Sequence, residues 1–103
     1  MEKRLYERVE SNLKSRFFYG NMFFAGTIEN ISEKGMFISS DTCLPEGSFF
    51  VVILREGEKL IKVIAKVKRN CKTEDVFDGM GVELLSPSKS YLEYVDNLKV
   101  AVH

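Results

Sequence analysis

At 103 residues the chain has the length of one domain, enough for a modest hydrophobic core without staples. Its 15 basic and 15 acidic residues cancel, so no net field recruits DNA, RNA or an anionic membrane. The two cysteines, Cys43 and Cys71, stand far apart and outside any C-x-x-C spacing, which argues against a disulfide framework or thiolate metal site and predicts buried, reduced thiols.

The N-terminus is charged throughout and has no secretory pattern. Residues 1–12 are polar and are expected to form a flexible segment. Leu13 to Tyr19 reads as a strand, Gly20-Asn21 as a two-residue turn, and Met22 to Ile31 as the hairpin partner. Ile28 and Ile31 cannot share a face of a flat strand, whose side chains alternate with period two, so a bulge or strand end is expected near Glu29. That break places Asn30 and Ser32 on the face opposite Ile31. Met36 to Ser39 is a short strand after Gly35, and Pro45-Glu46-Gly47 is a turn.

Phe49 to Leu54 is the longest apolar run, too short to span a bilayer, and its lack of alternation predicts a strand covered on both faces. After the Glu56-Gly57-Glu58 turn, Leu60 to Cys71 alternates Ile61, Val63, Ala65 and Val67 with Lys62, Ile64, Lys66 and Lys68, a half-buried strand whose lysines face solvent. Residues 72–79 read as polar and turn-like, and Met80 to Leu85 as the last strand. Ser86-Pro87 looks like a helix N-cap with proline at the first helical position. Tyr91, Val95, Leu98 and Val102 then fall on one stripe of an amphipathic helix. The pattern predicts an all-β domain, a small six-stranded antiparallel β-barrel over 13–85 followed by a C-terminal α-helix over 86–103.

Two motifs lie in the first third. Arg4-Leu5-Tyr6-Glu7-Arg8 is R-x-x-x-R, and Asn30-Ile31-Ser32-Glu33-Lys34-Gly35 is N-x-S-x-x-G, with 21 residues between Arg8 and Asn30. By average composition, these five positions at such a gap arise by chance in roughly one random chain of this length per thousand. Their order and separation resemble the PilZ domain family, and Met80-Gly81-Val82-Glu83-Leu84 resembles the last strand of that family.

The resemblance implies a six-stranded barrel that binds cyclic di-GMP, with Arg4 and Arg8 clamping guanine and phosphate as the N-terminal segment folds over the barrel. The chemistry is suitable: a planar guanidinium matches guanine O6 and N7 bidentately, chelates a phosphate or stacks on a purine. Asn30 offers an acceptor and donors to the other guanine edge, and Ser32 a hydroxyl to phosphate or base. Gly35 permits a positive φ or a close approach of backbone to ligand. Lys3, just before the first arginine, is implied to influence whether one ligand or a stacked pair is held.

No output domain accompanies the motifs, so the expectation is a stand-alone, cytoplasmic, non-enzymatic receptor without cofactor or membrane insertion. It would relay the second messenger to an unidentified effector protein in motility, exopolysaccharide or biofilm control. A ligand-independent interaction module is the alternative. A single-strand-binding barrel would need a basic surface and fits a neutral chain less well. An enzyme has little to build on: the only histidine, His103, is the last residue, and no glycine-rich phosphate loop occurs.

Overall fold

The computed structural model describes the backbone of residues 8–102 and the side chains of residues 8–100. Six strands run β1 (Val9–Tyr19), β2 (Met22–Ile31), β3 (Gly35–Ser39), β4 (Phe49–Glu56), β5 (Lys59–Thr73) and β6 (Val76–Leu85), and α1 spans Lys89–Val102. All pairings are antiparallel, and the order β1-β2-β3-β6-β5-β4 closes into a barrel. The closing seam, β1 against β4, is short, pairing only Arg16 to Phe18 with Ile53 to Val51.

Alternation builds the interior. Phe17, Ile28, Ile38, Val52, Ala65 and Met80 are fully enclosed, and the Phe17 ring stacks on Phe24 at 5.4 Å and meets Phe50 edge-on at 5.5 Å. Leu44, in the connection between β3 and β4, is buried at one end of the barrel, where its amide donates to Met80 Sδ at 3.3 Å. The helix covers the other end with Tyr91 and Val95 fully buried and Tyr94 nearly so.

The expected hairpin is present: Gly20 takes a φ of 62° in the turn between β1 and β2. So is the break near Glu29, where the β2–β3 register shifts between Ile28 and Asn30.

Four expectations about the strands and the helix need correction. The first strand begins at Val9 rather than Leu13, because a register shift between Glu10 and Leu13 lets Val9 bury against Ile31 despite the polar residues between. Residues 72–79 are not a turn-like stretch. They continue β5 and begin β6 around Glu74-Asp75, whose positive φ values of 51° and 68° make a tight hairpin without glycine. Phe49 to Leu54 is covered on one face only, since Phe50, Val52 and Leu54 point inward while Phe49 stays 57% exposed. The helix cap is Ser88, whose Oγ accepts from Tyr91 N at 3.2 Å, while Ser86 adopts a φ of 46° in the lead-in.

Cys43 and Cys71 are free but only half-buried. Burial, with the Asp78 carboxylate adding to it, pushes the Cys43 thiol above its ordinary value.

Candidate functional site

The two motifs meet. Arg8 precedes β1, whose Val9 and Glu10 pair with Ile31 and Asn30 at the end of β2. This register brings the Arg8 Nη1 to donate to Asn30 Oδ1 at 2.8 Å across a sequence separation of 22 residues. The bulge at Glu29 turns Asn30 outward between buried Ile28 and buried Ile31. Glu29 itself accepts from the Ser39 hydroxyl. Lys3 and Arg4 lie outside the described residues.

Ser32 and Gly35 form the turn into β3 rather than an outward-facing group. Ser32 is buried, its amide donates to the Gly35 carbonyl at 2.9 Å, and its Oγ accepts from Gly35 N at 3.2 Å and Lys34 N at 3.3 Å. Gly35 does not take a positive φ. It is required because a Cβ there would stand 2.6 Å from the Val82 carbonyl oxygen of β6. The close approach is therefore to the neighbouring strand. On the other side, Leu84 N donates to the Lys34 carbonyl at 2.8 Å, fastening the turn to β6.

The turn is also tied to the helix. Tyr91 Oη donates to the Ser32 carbonyl at 2.7 Å, and Lys99 pairs with Glu33. Burial, then the Glu33 carboxylate, raises the Tyr91 hydroxyl far above its ordinary value, so it stays protonated and donating through the physiological range.

Two further residues share this face. Register carries Asn30 to Phe37, Phe37 to Gly81 and Gly81 to Arg69, one outward row across β2, β3, β6 and β5. The Phe37 ring lies over Gly79, where any side chain would collide with it, and the Arg69 side chain lies across Gly81, within 3.4 Å of where a Cβ would be. Three strand spacings separate the row's ends, roughly 14 Å. Neither Phe37 nor Arg69 belongs to a motif. The glycines at Gly79 and Gly81, alternating with buried Met80 and Val82, are the sequence signal that something lies close above them.

Among the described residues, no group of three or more His, Cys, Asp or Glu could hold a metal ion, and no helix is long and apolar enough to cross a membrane.

The PilZ domain model matches residues 2–98. The chain belongs to the PilZ family. Solved structures show the same barrel. That of the Bacillus subtilis inhibitor of motility MotI/DgrA superposes with a TM-score of 0.79 at 17% identity, covering 99% of this chain and 51% of that one. The PilZ domain of YcgR from Escherichia coli, solved with c-di-GMP, gives a TM-score of 0.73 at 14% identity over 92% of this chain and 87% of that one. This PilZ domain thus spans about half the length of the MotI/DgrA chain. No curated protein matches it by sequence.

Proposed function

We propose that this PilZ domain is a cytoplasmic, non-enzymatic receptor for cyclic di-GMP that relays the messenger to a protein effector controlling motility, exopolysaccharide or biofilm. The observation that carries the reading is the hydrogen bond between Arg8 and Asn30, which unites two motifs far apart in sequence on one outer face. The family match and the c-di-GMP in the YcgR PilZ structure support it.

In this reading the chain's residues divide the ligand between them. Arg8, joined by Arg4 and Lys3 from the N-terminal segment, supplies charge-assisted contacts to phosphate and a bidentate match to guanine. Asn30 orients the Arg8 fork and presents its amide to a base edge. The half-buried Phe37 ring offers a stacking plane, and Arg69 stands at the far end of the row as a second cation. Ser32 and Gly35 act mainly by holding the turn that sets Asn30 in place. Asn30, uncharged where an aspartate would be anionic, spares a dianionic ligand one repulsion.

Isothermal titration with cyclic di-GMP, with cyclic di-AMP and GTP as controls, tests the reading directly. The expected result is a dissociation constant of about 1 μM or tighter for cyclic di-GMP alone. No heat at ~100 μM ligand rejects the receptor and leaves the ligand-independent interaction module standing.

A further inference from the structure

Across the barrel from the Asn30 row, the outer surface of β1, β4 and β5 has a different character. Register aligns Phe23 with Phe18, Phe18 with Val51 and Val51 with Ile64, an apolar row running across four strands. The Phe18 and Phe23 rings touch with centroids 4.8 Å apart. Phe23 is 58% exposed and Ile64 53%, so the row is open to solvent. Beside it, toward the helix end, outward positions carry Lys14, Arg16 and Arg55, which border a groove shared with Ile53 and Leu60, and Lys62, the register partner of Ile53. On the other side Lys66 sits over the exposed Phe49 ring at 5.6 Å.

Acidic residues are missing from this wall. The outward positions of β1 from Lys14 to Phe18, of β4 from Phe49 to Arg55 and of β5 from Leu60 to Lys66 include no carboxylate. In a chain with no net charge, that is a segregation of cations around an apolar row. Such a patch is what an interaction surface looks like, and a merely solvated strand face has no need of exposed Phe and Ile.

The shape restricts what can cover it. Along the row itself each strand is already paired with its neighbour, so a partner covers it through side chains rather than as an added strand. The row is three strand spacings long, roughly 14 Å, and is bordered by Arg16 and Lys62 toward the helix end and by Lys66, which faces Glu83 of β6, on the other side. A helix about 10–12 Å in diameter laid across the strands would press an apolar stripe onto the row. Its flanking positions would then meet Arg16 and Lys62 on one side and Lys66 on the other.

We propose that this wall docks an acidic amphipathic helix of a partner protein, with an apolar stripe flanked on both sides by Asp and Glu. The inference goes beyond the receptor reading and holds whether or not the opposite face takes a nucleotide. A second copy fits less well: two such walls would set Arg16 and Lys62 against like charges, and α1, the chain's own helix, turns its apolar stripe into the barrel end.

The test is an NMR titration of the full chain with a synthetic helical peptide of roughly five turns, carrying a leucine stripe flanked by glutamates. The expected result is shifts at the amides of residues 16–18, 51–53 and 62–64. Affinity should fall about tenfold or more in Arg16→Glu/Lys62→Glu and in Phe23→Ser, and stay unchanged in Arg8→Ala. Equal binding of the peptide with lysine in place of glutamate overturns the proposal. So does undiminished binding to both wall variants once their melting temperatures show them folded. Tighter coverage of the same amides by phosphatidylglycerol vesicles, or by a second copy in sedimentation, overturns it as well.

Discussion

The two faces of this barrel obey one alternation rule and reach opposite chemistries. On the Asn30 face, Gly35, Gly79 and Gly81 remove side chains so that a carbonyl, the Phe37 ring and the Arg69 side chain can lie close against the sheet. On the wall of β1, β4 and β5, no outward position from Lys14 to Phe18, Phe49 to Arg55 or Leu60 to Lys66 is glycine, and large apolar and cationic side chains stand away from the strands. At Gly35 the atom a new side chain would strike is a backbone carbonyl that cannot move aside, at Gly79 the Phe37 ring would have to shift, and at Gly81 the Arg69 side chain stays at contact distance, so tolerance is lowest at Gly35. A surface set by side-chain bulk tolerates much.

The sharpest way to break this contrast is Gly35→Val. With the Val82 carbonyl oxygen 2.6 Å from the new Cβ, β3 and β6 must part, and a loss of about 3 kcal/mol or more in chemical denaturation is expected. Cyclic di-GMP affinity should fall with it. A variant as stable as the parent would show that the turn at residues 32–35 is not the rigid element described.

Arg8→Ala separates binding from folding. Its side chain is exposed, so the melting temperature should barely move, whereas the lost guanine or phosphate contact should weaken cyclic di-GMP by about 1–3 kcal/mol. Arg69→Ala should weaken it in the same direction by about 1 kcal/mol, as a single cation at the end of the row. Normal affinity in Arg69→Ala alongside a defective Arg8→Ala would confine the site to the β1–β2 side.

Tyr91→Phe removes one hydrogen bond under the turn and should cost about 1 kcal/mol at neutral pH. The pH dependence has a definite sign. The native hydroxyl is raised above its unfolded value, so above the ordinary tyrosine range of about 10 the unfolded chain releases a proton that the native one keeps. Stability contributed by the neutral phenol is therefore complete below that range and declines as pH rises beyond it. Denaturation curves of parent and variant between neutral and strongly alkaline pH should converge, and a constant difference would contradict this assignment. The smallest effect belongs to the wall: Lys66→Ala should leave cyclic di-GMP affinity unchanged and stability within about 0.5 kcal/mol.

Much of this was legible in the amino-acid order, for reasons that are local. The Gly20-Asn21 hairpin follows from glycine's freedom at positive φ, and the Glu29 break follows from two isoleucines that no flat strand can bury together. The approach of Arg8 to Asn30 was legible only through the motif pair. What escaped depends on partners distant in sequence. Val9 looked like part of a polar leader until Ile31 was its neighbour, and Glu74-Asp75 made a hairpin turn without the usual glycine. Ser32 carries a hydroxyl that suits a phosphate, but the fold occupies it with the amides of its own turn. Phe37 and Arg69 join the face through cross-strand register, which no linear motif encodes.

The bond from Tyr91 to the Ser32 carbonyl has an optical consequence. The chain has no tryptophan and four tyrosines, so its near-ultraviolet spectrum is dominated by phenols and phenylalanine rings. Of those phenols, Tyr91 is fully enclosed and touches the turn that follows Asn30. Its absorption and circular dichroism depend on the strength of the hydrogen bond it donates. Any event that strains or relaxes the turn should therefore alter a native chromophore, and the domain can be followed in solution without a dye, a label or an added residue.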